Sequence, residues 1–181
     1  AGVRILNVTD PAAITELGVF DTTDAQSVTV IGRTAYVADG AAGVRVLDVT
    51  VPTAVTEVGL FDTTSAQSVT IDGTTAYVAD GAGGVRVLDV TDPAAITEKD
   101  VFDTSDARLV IVDGTTAYVA DGIDGIRVLD VTDPADVSEL GADSTTGAQS
   151  VTLDGTTAYV SSGAEGVRIL NVSNPAAITQ E

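Results

Sequence analysis

One feature limits this chain more than any other, a repeat of fixed length. The tripeptide Gly-(Val/Ile)-Arg begins at Gly2, Gly43, Gly84, Gly125 and Gly166, each step being 41 residues. Pro11, Pro52, Pro93, Pro134 and Pro175 keep the step, as do Tyr36, Tyr77, Tyr118 and Tyr159, and Glu16, Glu57, Glu98 and Glu139. Registers this strict mean one structural unit copied along the chain, each copy burying its faces against its neighbours.

One period reads as four strands, here called A to D. From Ala66 to Phe102, "AQSVTI" alternates as a short strand A. Asp72-Gly73 is a hairpin signal for a type I′ turn, which needs positive φ at both central residues. "AYVAD" is strand B, and the glycine-rich Gly81 to Gly84 turns the chain into strand C, "VRVLDVT". Pro93 in "DPAA" ends it by removing a donor and fixing φ. "ITEKDVF" is strand D. Val, Ile and Thr dominate and punctuation falls every 8–12 residues, which argues against helix. Strand C is apolar on both faces, Val85 and Val87 on one and Leu88 and Val90 on the other. A sheet covered on both sides needs neighbours on both sides. The expected fold is therefore all-β, a β-propeller-type array of four-stranded blades with a 41-residue repeat. Residues 1–181 form a single repeat domain: a half-blade over 1–24, then repeats 25–65, 66–106, 107–147 and an incomplete 148–181.

Charge narrows the function. There are 27 Asp and Glu against 8 Lys and Arg, a formal charge of -19, and Lys99 is the single lysine. The acids stand singly among Val, Leu and Thr, unlike a disordered acidic tail. Such a surface opposes nucleic acid, which is held by basic patches, and an anionic membrane. It favours cations, basic partners or a very salty medium, where screening relieves self-repulsion. No run near 18 apolar residues is present, and no membrane insertion is expected. Cys and His are absent, so no disulfide, zinc or haem site of the usual kind and no bound transition metal are expected. The opening "AGVRIL" matches the middle of the repeat. We therefore expect a processed, truncated or engineered chain, with any signal peptide outside it.

Leu109 to Asp113 spells LVIVD, followed by "AYVADG" and "IRVLDVTDP". With these motifs the chain resembles the LVIVD-repeat family across essentially every period. The resemblance implies a β-propeller-type repeat of secreted or surface-attached bacterial and archaeal proteins, hence an extracellular or cell-surface location. It implies no single activity.

Candidate sites follow from the repeat and from departures within it. Asp39, Asp80 and Asp121 precede each B–C turn, with Ser162 in the fourth place; with Asp124 they are weak candidates for calcium, the one cofactor considered. Their structural reading is that each side chain accepts backbone N–H groups and fixes its own turn. Arg4, Arg45, Arg86, Arg127 and Arg168 hold one repeat position. They are expected to make ion pairs between blades with Asp48, Asp89 and Asp130, where Asn7 and Asn171 stand in the outer copies. Asn7-Val8-Thr9 and Asn171-Val172-Ser173 are N-glycosylation sequons; alternatively Asn replaces Asp as a local hydrogen-bonding residue. Arg108, Asp124 and Glu165 depart from the repeat and are the ligand-face candidates, because D–A links and B–C turns share one face of a propeller. Catalysis has little support without His or Cys.

The expected function is a non-enzymatic extracellular structural or interaction module of a halophile, its partner another protein or another copy of itself. A carbohydrate- or cation-binding module and an engineered repeat protein without natural function are the alternatives. Strand C occurs five times but strands A and B only four. A closed four-bladed ring would leave the C strand from Val167 to Val172 surplus, so an arc of four blades plus a half-blade is expected.

Overall fold

The computed structural model describes residues 2–181. A two-stranded half-blade comes first, β1 (Gly2–Asn7) paired with β2 (Thr15–Asp21). Blade 1 is β3 (Ser27–Ile31), β4 (Thr34–Ala38), β5 (Val44–Asp48) and β6 (Thr56–Phe61). Blade 2 is β7 (Ser68–Asp72), β8 (Thr75–Ala79), β9 (Val85–Asp89) and β10 (Thr97–Phe102). Blade 3 is β11 (Leu109–Asp113), β12 (Thr116–Ala120), β13 (Ile126–Asp130) and β14 (Ser138–Asp143). Blade 4 is β15 (Ser150–Asp154), β16 (Thr157–Ser161), β17 (Val167–Asn171) and a two-residue β18 (Thr179–Gln180). Every sheet is an antiparallel meander in chain order. The order is dictated by short turns, which can only join neighbouring antiparallel strands.

The A–B turn differs from expectation. Asp72 pairs with Thr75, so the loop is Gly73-Thr74 rather than Asp72-Gly73. Gly73 has φ +56°, while among the described residues none other than glycine has positive φ. That excludes type I′ and suits a type II′ loop, which takes glycine first. The C–D pairings of the half-blade and of blades 1 to 3 carry a one-residue slip, such as that between Val46 and Leu47, a bulge that bends the outer strand.

The core lies between blades. Tyr36, Val44 and Val46 of blade 1 meet Val69, Leu88 and Val90 of blade 2. Tyr77, Val85 and Val87 of blade 2 meet Val110, Leu129 and Val131 of blade 3. Strand C of blade 2 thus divides its apolar residues between the two neighbours as its pattern requires. Burying each such side chain is worth about 1.5–3 kcal/mol, so the interfaces carry the stability. Backbones also approach closely there: a Cβ on Gly59 would lie 1.9 Å from the Pro93 carbonyl oxygen of the next blade. Single β-bridges clamp the seams, Gly40 to Ala66, Gly81 to Ala107 and Gly122 to Ala148.

Candidate functional site

Strands A and B are antiparallel, so the residues before A and after B lie at the same end of the blade. There the D–A links and B–C turns meet, joined by buried carboxylates. Asp39, Asp80 and Asp121 are fully buried. Asp80 accepts the backbone N–H groups of Ser65 at 2.5 Å and Thr64 at 3.0 Å. Arg86 Nε donates to it at 2.7 Å, and Arg86 Nη1 donates to Glu98 at 2.7 Å. Blade 1 repeats this with Asp24 N–H and Arg45 on Asp39, and Glu57 on Arg45. Blade 3 repeats it with Asp106 N–H and Arg127 on Asp121, and Glu139 on Arg127.

Burial alone pushes the Asp39 carboxyl up; the Arg45 guanidinium and the Asp24 N–H outweigh it and hold the group below the ordinary aspartate value. At Asp80, burial is again opposed, by the Ser65 N–H and then Arg86, with the same net direction. These carboxylates are ionised, paired and saturated with donors.

Two sequence readings are corrected by this geometry. The strand C arginines do not pair between blades, and their partners are not the strand C aspartates. Each bonds within its own blade, because Asp80 and Arg86 are diagonal neighbours across the β8–β9 hairpin, where Val78 faces Arg86. Asp48, Asp89 and Asp130 instead accept the N–H of Thr50, Thr91 and Thr132 two residues on, the local bond an Asx turn makes. The second correction concerns Asp39, Asp80 and Asp121, which tie down the D–A link rather than their own B–C turn.

Other candidates are scattered. Asn7 and Asn171 accept the N–H of Thr9 and Ser173, the same Asx bond that Asp makes elsewhere. Asp124 lies 4.0 Å from Arg127, and Glu165 lies 3.5 Å from Arg168. Among the described residues, no three acidic side chains gather as a metal-ligating group.

Of the ligand-face candidates, Arg108 lines a cavity. Gln26, Gln67, Asp106, Arg108 and Gln149 line an open depression of about 540 Å³, so all four blades contribute to it. Arg108 donates twice to Asp106, at 2.8 and 2.6 Å. Gln67 donates to Ser65, and Gln26 to Asp24. Sequence reasoning missed the glutamines as lining residues; their signal was a fixed register at the start of strand A, interrupted by Arg108.

The LVIVD repeat matches four times, over residues 23–63, 64–104, 105–145 and 147–180. The chain belongs to the LVIVD-repeat family. No curated protein matches it in sequence. Among solved structures, a Bacteroides uniformis protein assigned as a 6-phosphogluconolactonase is similar with a TM-score of 0.80 at 13% identity, over 99% of this chain and 63% of that one. A chain of the nidogen–laminin complex is similar with a TM-score of 0.70 at 13% identity, over 94% of this chain and 69% of that one. The computationally designed Ika8 protein is similar with a TM-score of 0.65 at 8% identity, over 85% of this chain and 48% of that one. The LVIVD chain thus spans about half of Ika8 and under two thirds of the Bacteroides protein. At such identities the likeness is one of fold, and that fold is propeller-like.

Proposed function

We propose that this LVIVD array is a non-enzymatic structural and interaction module of a secreted or surface-attached protein from a salt-loving microbe. The observation that carries the reading is its pair of open ends. Val28 and Val30 are exposed at the leading end, and Tyr159, Val167 and Ile169 at the trailing end. Apolar faces of this kind mark interaction surfaces, and here they sit on a chain of charge -19. High salt both screens that charge and strengthens apolar association. The non-enzymatic reading is supported by the buried carboxylates, each locked onto an arginine.

The test is light scattering with thermal unfolding from low salt to molar KCl. Expected are a rising melting temperature and concentration-dependent association at high salt. A monomer at every concentration with a flat melting profile would refute the reading. A second reading, a carbohydrate- or cation-binding module, rests on the depression shared by the four blades, since Gln26, Gln67 and Gln149 offer both donors and acceptors to hydroxyl groups. Calorimetric titration of oligosaccharides and calcium into the protein and its Arg108→Ala variant tests it.

A further inference from the structure

The open ends are complementary in detail, and this deepens the interaction reading on which it rests. Among the described residues β1 pairs only with β2, whereas every other strand C pairs on both edges. The free edge borders a cleft of about 310 Å³, lined by Val3, Ile5, Leu6, Val28, Ala35 and Val49 among others. Its walls correspond, 41 residues apart, to surfaces that meet inside the molecule. Val44 and Val46 of blade 1 lie against Val69, Ala76 and Val90 of blade 2; the cleft offers Val3 and Ile5 on one side and Val28, Ala35 and Val49 on the other. What fills the interior seam, and is missing here, is a strand B carrying tyrosine.

Such a strand stands at the other end. Tyr159 is 40% exposed, while Tyr36, Tyr77 and Tyr118 are 5%, 2% and 6% exposed. Strand β16, which carries it, pairs with β17, and β1 and β17 share one sequence: Gly2 to Asn7 and Gly166 to Asn171 both read GVRILN. Hence β16 can take β1 in place of β17 without losing any cross-strand pair. Leu6 and Val8 are 46% and 62% exposed, whereas their equivalents Leu170 and Val172 are 0% and 4% exposed against blade 3. The exchange would seat Leu6 and Val8 there. It would also give blade 4 the seven-residue β2 in place of the two-residue β18.

Two further features match. Three seams carry a β-bridge from the B–C turn glycine to the alanine opening the next strand A; Gly163 and Ala25 are the unused halves of a fourth. Thr29 and Thr70 donate across their seams to the carbonyls of Val69 and Val110, and Thr152, at the same repeat position, is exposed.

We propose that the β1 edge and its cleft receive the β15–β16 hairpin of a second copy of this chain, β1 replacing β17 to build a composite fourth blade. The contact is heterologous, so copies join head to tail and either close into a ring or extend.

The chain has no cysteine, which makes cross-linking clean. By the register of Ser161 with Val167, the exchanged form places Ser161 of one copy opposite Val3 of the other. Val3→Cys and Ser161→Cys chains are mixed in molar KCl and oxidised. The expected result is a mixed disulfide between the two variants, absent from either alone, with β1 amides gaining and β17 amides losing hydrogen-exchange protection. Tyr159→Asp should lower the cross-linked yield about tenfold. In the double variant, a disulfide formed only within one chain would overturn the second copy as occupant. Association without the mixed disulfide would overturn the exchange and leave the interaction reading standing; absence of association would overturn both.

Discussion

Blades 2 and 4 come from nearly the same sequence and live in different surroundings. Blade 2 is covered on both faces, its Tyr77 and Leu88 are buried, and Asp80 ties the D–A link to strand C. Blade 4 is covered on one face, and Ser162 replaces the aspartate. Ser162 donates to the Thr146 carbonyl, leaving Arg168 Nε buried without a partner. Its Nη2 reaches Gln180 where the interior blades have glutamate. The strands still form. Blade formation is therefore local, while rigidity comes from the seam and the carboxylate tie, as expected for a repeat array whose stability adds intrinsic and interface parts.

The sharpest break of that comparison is Asp80→Ala. It leaves Arg86 Nε and two backbone N–H groups without their acceptor, and removing one member of a buried ion pair costs about 3–5 kcal/mol. The equivalent Ser162→Ala change removes one neutral hydrogen bond, worth about 1 kcal/mol. Urea unfolding of both variants measures the gap; equal losses would mean that the tie does not distinguish the blades.

Next in size is a pair of leucines. Leu88→Ala empties a site buried between blades 1 and 2, at about 2–5 kcal/mol. Leu6→Ala, at the same repeat position in the half-blade, faces solvent and should cost under about 0.5 kcal/mol in the dilute monomer. At high concentration in molar KCl the Leu6→Ala cost should grow, because the exchanged form buries that side chain.

Much of this was legible in the residues. Strand order and the two-faced strand C follow from alternating Val, Leu and Ile, and the interior seams use those residues as the pattern demands. The A–B loop was misread by one position because its register depends on how Asp72 pairs, not on the Asp-Gly dipeptide. The ion-pair partner was misread for a related reason. Arginine was matched with the strand C aspartate of a neighbouring blade, although a diagonal partner stands on the adjacent strand of its own hairpin. Writing out the B–C hairpin register would have brought Asp80 diagonally beside Arg86. The four-blade depression was out of reach, because it depends on how blades are arranged around one another, which no local pattern encodes.

A gain should accompany repair of blade 4. Ser162→Asp restores an acceptor for Arg168 Nε and for the link N–H groups, and hydrogen bonds to charged groups contribute about 1.5–3 kcal/mol before the carboxylate's desolvation is subtracted. A net stabilisation of about 1 kcal/mol is expected, read by urea unfolding and by slower hydrogen exchange in β16 and β17. Unchanged exchange would show that the open face, not the missing carboxylate, sets the softness of blade 4.

The smallest effect is the pH dependence that Asp39 and Asp80 impose. Both carboxyls lie below the ordinary aspartate value of 3.8 in the folded chain. For a lowered folded pKa, the unfolded chain binds more protons in the window between the two values. The stabilisation is complete above the unfolded pKa and is lost as pH falls below 3.8 through the folded pKa. Each group adds at most about 1.4 kcal/mol per pH unit to the slope there. Asp80→Asn keeps the size and removes the titration, so its stability should fall less steeply than wild type as pH drops below 3.8. Asp48, Asp89 and Asp130 are also lowered, by the hydroxyl and then the N–H of Thr50, Thr91 and Thr132, so the titrations must be assigned. Carboxyl-carbon NMR separates them, because replacing Arg86 by Gln should raise the Asp80 midpoint and leave that of Asp130 in place. If the Asp80 midpoint does not move, the guanidinium is not what holds this carboxylate ionised, and the distinction drawn between blade 2 and blade 4 loses its electrostatic half.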